Sequence, residues 1–258
     1  MAHTDNPVQT GIGHRPSRGL GDILLDRFFT TGQVLETERI AARTIRLRIG
    51  GPALKSLSCL PGQHVRVLVD GDGLLSRVGD LRTYSVWHFD KDQGELHLCV
   101  LDHGDGPGAR WARTAEVGQQ VRFRGPEGSF VLYPDAPYHL FAGDETAAPA
   151  FGPMLRVIPD ATPVHGAIET ATEADRLPLP RRDELTHPLR GSASAASSEV
   201  LLEAVRALTL PDTPGIAYLA GEARTIQRIS KHLVHERNWP RRAVRTKPFW
   251  TPGKRGMD

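Results

Sequence analysis

Arg82, Thr83, Tyr84 and Ser85 form a run whose side chains can hold a phosphorylated, planar ligand. On a strand, Arg82 and Tyr84 share one face and Thr83 and Ser85 the other. An arginine beside a tyrosine can pair with a phosphate and pack against a ring, and Ser85 can donate to a ring nitrogen. The same run also suits an ordinary edge strand with an exposed arginine and a half-buried tyrosine. A second stretch runs His103-Gly104-Asp105-Gly106-Pro107-Gly108-Ala109-Arg110-Trp111-Ala112. Its alternate glycines let the backbone approach an anion, and Ala109–Thr114 can begin a short helix. A pyrophosphate at that N-terminus would meet unpaired N–H groups and a favourable dipole. A plain glycine-rich hairpin loop fits those residues as well.

Gly143-Asp144-Glu145-Thr146 follows an apolar run and precedes a helical one. Thr146 is the expected N-cap, and Pro149 is tolerated in a first turn. Ligands of open parallel sheets sit beyond the carboxyl ends of the strands. Asp144 and Glu145 suit a ribose or nicotinamide better than a phosphate there, or are two solvated acids on a capped helix. Ala220-Gly221-Glu222-Ala223 repeats the strand-to-helix arrangement. Near the end of the chain, Lys247 to Arg255 combines Phe249 and Trp250 with cations. These aromatics can cover a planar cofactor while the cations face an anion; a solvated basic tail is the plainer reading.

The elements that must position these groups fall into two series. Thr44–Ile49, His64–Val69, Thr83–Phe89, Glu95–Leu101 and Gln120–Arg124 alternate or are β-rich, with Gly/Pro/Asp turns between them. Short strands so punctuated predict an antiparallel β-barrel. Beyond residue 135, strands are expected at His139–Ala142, Val164–Glu169, Thr186–Arg190, Ile216–Ala220 and Ala243–Phe249, and helices at Thr146–Val157, Ser198–Leu208 and Ala223–Arg237. Such alternation predicts a parallel sheet with crossover helices. The expected division is a flexible tail over 1–30, a barrel over 31–135 and an α/β unit over 136–258, with the boundary near Tyr133–Pro137.

The 258 residues carry 32 Lys+Arg against 30 Asp+Glu, so a net charge of +2 makes the whole chain no obvious polyanion binder. The asymmetry is local: seven Lys or Arg and no acid lie between Arg237 and Arg255. Cys59 and Cys99 match no zinc or iron–sulfur spacing. His232 and His235, on one expected helix, lack a nearby carboxylate partner in sequence, so a metal centre is not expected. There is no apolar run of bilayer-spanning length, and the first residues lack the apolar centre of a signal peptide. A cytoplasmic monomer without nucleic-acid or membrane partners is expected.

Taken in order, GQHVRVLV, RTYSV, HGDGPGARWA, GPEGSF, GDETAAPA, LTHPLRG, YLAGEA and FWTPGKRG resemble the siderophore-interacting proteins. These are flavin-dependent ferric-siderophore reductases of the ferredoxin-reductase superfamily, and the resemblance runs from about Gln33 to Arg255. It implies a ferredoxin-reductase-like fold, an FAD-binding barrel followed by a nicotinamide-binding α/β unit. It places Arg82 on the FAD phosphates and Tyr84 and Ser85 beside the isoalloxazine, with Thr83 among the cofactor-binding residues. His103, Gly104, Gly106, Gly108, Ala109 and Trp111 belong to its pyrophosphate loop. Asp144, Glu145, Thr146, Gly221 and Glu222 fall on the nicotinamide side, and Trp250 is a further cofactor-binding residue. Arg66, Arg245, Lys247 and Lys254 are the implied cations for an anionic ferric siderophore. With NAD(P)H as donor, catalysis would rest on positioning and on the flavin, with no acid, base or nucleophile of the chain required.

Some residues depart from the family pattern. Trp87 replaces an arginine, Ala148 a leucine, His187-Pro188 a Trp-Leu pair, and Phe249-Trp250-Thr251 a Tyr-Trp-Arg run. They motivate one alternative, a flavoenzyme acting on an organic substrate in a specialised pathway; a non-catalytic flavin- or ferric-siderophore-binding protein is another. Arg176, Arg181 and Arg182 follow the second α/β strand, where they can read a 2′-phosphate or simply be solvated loop charges.

Overall fold

The computed structural model describes residues 28–69 and 81–254; most of the expected tail, the expected DGDG turn and Arg255 lie outside them. Six antiparallel strands close a barrel in the order β1-β2-β5-β4-β3-β6. They are β1 (Thr30–Ala41), β2 (Thr44–Gly50), β3 (His64–Leu68), β4 (Leu81–Asp90), β5 (Glu95–Leu101) and β6 (Gln120–Glu127). Alternation explains the closure. Leu47, Ile49, Val65, Val67, Leu96, Leu98 and Phe123 point inward and are buried together, each contributing about 2 kcal/mol. The outward Arg46 and Arg48 pair with Glu36, Glu38 and Glu95. Helix α1 (Pro107–Thr114) adds Trp111 and Ala112 to this core.

Beyond the barrel, β7 (His139–Asp144), β8 (Val164–Glu169), β9 (Ile216–Glu222) and β10 (Val244–Trp250) form a parallel sheet in the order β10-β9-β7-β8. Helix α2 (Ala148–Val157) packs with the core facing the barrel. Helices α3 (Glu199–Arg206) and α4 (Ala223–Lys231) share the core on the other face. The alternation of strand and helix in the sequence is thus the observed architecture.

Local expectations differ in several places. Thr186–Arg190 is no full strand: only two parallel bridges form, Ala167 to Thr186 and Thr170 to Leu189. Pro188 between them has no N–H for a ladder. Thr146 is not the N-cap of α2; Ala147 holds that position, and the Thr146 hydroxyl donates to Asp144 instead. The helix from Ala223 is α-helical only to Lys231 and continues as a π turn over His232–Glu236. That turn brings Glu236 2.8 Å from His232, so this histidine does have a carboxylate partner.

Barrel and sheet meet through a shared apolar core. Trp87, Cys99 and Phe130 from the barrel side pack with Phe151 and Met154 of α2. The Trp87 ring occupies the space a side chain at Gly152 would need, since a Cβ there would lie 2.2 Å from it. The Arg156 guanidinium covers the same ring at 5.6 Å. A polar contact lies elsewhere: Arg43, in the β1–β2 turn, reaches Asp175 at 2.8 Å and Glu145 at 3.1 Å. Among the described residues no helix is long and apolar enough to cross a membrane.

Candidate functional site

Arg82 and Tyr84 do share a face of β4, and that face looks onto the start of α1. Tyr84 stacks on Trp111 with ring centroids 5.8 Å apart. A Cβ on Gly108 would fall 2.2 Å from the Tyr84 hydroxyl and 3.6 Å from Cγ of Arg82. Glycine is therefore what allows strand and helix to approach. Burial raises the Tyr84 pKa, with Arg82 opposing, so the phenol stays protonated.

The helix is left open at its start. Gly106 is the N-cap and supplies no side chain, and Pro107 lies in the first turn. Arg110 N–H already bonds the Gly106 carbonyl at 3.0 Å, whereas Gly108 and Ala109 N–H have no acceptor within the helix. Added Cβ atoms at Gly104 and Gly106 would meet nothing within 4 Å. His103 is exposed beside them. Arg113 steadies the loop, donating to Asp102 at 2.7 Å and to the Gly104 carbonyl at 3.0 Å. Sequence reasoning passed over Arg113, although its place one helical turn beyond the glycines was visible. Open backbone donors, an arginine and a tyrosine on one wall fit a flavin dinucleotide.

Thr83 is exposed and Ser85 half-buried on the opposite parity of β4. Ser85 pairs across the sheet with His64. His64, Gly128, Ser129 and Phe130 on the barrel side and Val244–Lys247 on β10 line a cleft of about 270 Å³. Of the four expected cations, Arg245 and Lys247 are in this lining. Arg245 lies 4.9 Å over the Tyr133 ring and donates to the Ser129 carbonyl at 3.5 Å. Arg66 shares the outward parity of His64 on β3 but pairs with Glu127 at 3.1 Å, and Lys254 is exposed elsewhere. His64 was not singled out from the sequence; only strand pairing places it here.

The third group lies at the carboxyl edge of the sheet and is closed on itself. Asp144, fully buried, accepts from Thr146 N–H at 2.9 Å, Glu222 N–H at 2.8 Å and the Trp250 indole at 3.0 Å. Burial raises its pKa, and Glu145 adds to this against those hydrogen bonds. Gly221 has φ +117°, and a Cβ there would lie 2.6 Å from the Asp144 carboxylate. Glu145 and Arg190 form a buried two-pronged pair. Glu222 caps α4 through Thr225 N–H at 2.8 Å and accepts from Ser197 N–H at 3.0 Å. Burial opposes its ionisation, but the backbone donors of Ser197, Arg224 and Thr225 outweigh it and hold the carboxyl below its ordinary value. So Asp144, Glu145, Thr146, Gly221, Glu222 and Trp250 come together as one internally bonded edge.

The arginines after β8 divide as well. Arg181 is neither a free reader nor a solvated charge: it forks onto Glu184 and donates to the Pro159 and Thr162 carbonyls. Arg176 donates to the His187 carbonyl at 3.1 Å, and Arg182 is more than half exposed beside Asp183.

Comparison with known proteins bears on this arrangement. Residues 76–130 match the family model of the siderophore-interacting FAD-binding domain, and residues 136–253 match that of the siderophore-interacting protein. The chain belongs to the siderophore-interacting protein family. Its Arg82–Ser85 run, glycine loop and Gly128 all lie inside the FAD-binding match. A siderophore utilization protein from T. fusca has the same fold, with TM-score 0.78 and 26% identity over 89% of this chain and 95% of that one. Ferric vibriobactin reductase ViuB of Vibrio cholerae is 27% identical over 67% of this chain, and the match spans 65% of ViuB's own length. The NADPH-dependent ferric-chelate reductase of Escherichia coli is 26% identical, covering 84% of this chain and 91% of that protein.

Proposed function

We propose that this chain binds FAD at the barrel end and passes electrons from NAD(P)H to an anionic ferric siderophore, releasing Fe(II). The observation that carries the reading is the juxtaposition around β4. One parity of the strand, Arg82 and Tyr84, faces the open start of α1. The other, through Ser85 and its partner His64, borders the cleft containing Arg245 and Lys247.

Arg82 and the N–H groups of Gly108 and Ala109 would hold the FAD phosphates, with Tyr84 packing against the cofactor and Ser85 near its ring. Bound flavin would supply the means to accept a two-electron hydride and pass electrons on singly. The chain's own share is positioning and electrostatics. Arg245 and Lys247 attract an oxygen-rich anion, and Phe130 with the shared core limits water on one side. Reduction to Fe(II) weakens binding by hard anionic oxygens, which frees the metal. The names of ViuB and the ferric-chelate reductase support this substrate class.

An anaerobic absorbance titration of the FAD-loaded protein with NADPH and then NADH tests the reading. Bleaching of the oxidised flavin band, reversed by a ferric siderophore, is expected. Bound flavin that neither nicotinamide bleaches would overturn the donor, and reduced flavin that ignores ferric chelates while reacting with an organic acceptor would favour a specialised flavoenzyme.

A further inference from the structure

His64 is built into the cleft by a glycine. Gly128 has φ +110°, and a Cβ there would lie 2.7 Å from Cε1 and 2.8 Å from Nδ1 of the imidazole. The ring therefore rests where any other residue at position 128 would intrude. Its charged neighbours come from three strands: Arg66 on its own strand, Glu127 on β6 and Lys247 on β10. Arg245 lines the same cleft. Glu127, the one acid of this set, is itself paired with Arg66.

We propose that His64 is the proton-exchanging residue of this cleft, taking up a proton when an anionic, oxygen-rich ligand binds between it, Arg245 and Lys247. Without a ligand the imidazole is a base among cations. Burial, then Lys247 and Arg66, disfavour its protonated form, and Glu127 only partly offsets them. A bound polyanion reverses the local field, so ligand binding and protonation favour each other by linkage. The inference rests on the reductase reading only for the identity of that ligand. In that setting the proton has a use: when the metal leaves, a freed oxyanion takes it, imidazolium becomes imidazole and the oxyanion becomes a hydroxyl.

The test follows the ring directly, using citrate as the anion. FAD-loaded protein with carbon-13-labelled histidine is titrated by NMR across neutral pH, with and without saturating citrate; His64→Gln identifies the signal. The expected result is a citrate-induced rise of about one pH unit in the His64 midpoint, a tenfold change in proton affinity. In Lys247→Gln the midpoint without citrate should already lie above that of the unchanged protein. An unmoved His64 midpoint with citrate bound, or no citrate binding at the cleft, overturns the proposal. A parallel ferric-chelate reduction assay separates the two readings. A responsive His64 without chelate reduction leaves this inference standing and removes the reductase reading; reduction with an unresponsive His64 does the reverse.

Discussion

The start of α1 and the carboxyl edge of the parallel sheet are both strand-to-helix turns rich in glycine and polar residues. At α1, Gly104 and Gly106 face open space, and Gly108 and Ala109 N–H lack helical acceptors. At the sheet edge the corresponding donors are already taken: Asp144 receives Thr146, Glu222 and Trp250, while Glu222 receives Thr225 and Ser197. A helix start with unmet donors is arranged for a ligand. One whose donors end on buried carboxylates holds the fold together. The motif residues of the sheet edge thus act first as a clasp on β7, β9 and β10.

Asp144→Ala is the sharpest way to break the contrast. It strands the donors of Thr146, Glu222 and Trp250, at a cost of about 3 kcal/mol. Thermal unfolding should shift down by about 6–12 °C, with Asp144→Asn milder because one acceptor remains. An unchanged midpoint would show that the edge is not a clasp.

Gly108→Ala should do the opposite, weakening flavin binding more than folding. The new Cβ displaces the Tyr84 hydroxyl, and FAD affinity measured by fluorescence titration should fall about tenfold, or about 1.4 kcal/mol. Retained affinity would mean that Tyr84 does not shape the flavin site.

The smallest effect concerns acid. His139 is fully buried in β7, and neither ring nitrogen has a hydrogen-bond partner among the described residues. Burial, with Arg181 adding to it, pushes its pKa down to about 4. The folded chain thus resists a proton that the unfolded chain accepts below its ordinary pKa of 6.5. Stability from this residue is full above that value and declines as pH falls towards 4, by at most about 1.4 kcal/mol per pH unit. Urea unfolding at neutral and mildly acidic pH should show a shallower acid loss in His139→Phe. An identical slope would remove His139 as a source.

Much of the fold was legible because burial leaves a periodic trace. Val164–Glu169 is the strand its composition predicts, and Ser198 caps α3 through a hydrogen bond to Leu201 N–H. The exceptions have local causes: Pro188 interrupts a strand by lacking an N–H, and Thr146 yields the cap because its hydroxyl prefers a buried carboxylate. The site was legible in part. Parity alone put Arg82 beside Tyr84, but the Thr162 carbonyl that Arg181 reaches and the Gly128 against which His64 rests lie on other segments, so those roles were not readable.

Residue order was enough to establish the two series of elements and the family, since each depends on neighbours a few positions apart. Tertiary packing alone decided which polar groups stay available. Asp144 and Glu145 could as well have been solvated acids; 78 residues separate Asp144 from Glu222, whose N–H it accepts. The cleft of His64, Arg245 and Lys247 exists only because β10 comes to lie beside the barrel. A hydrogen bond or a charged cleft depends on separation in space, which spacing along the chain does not specify once the chain has folded back on itself.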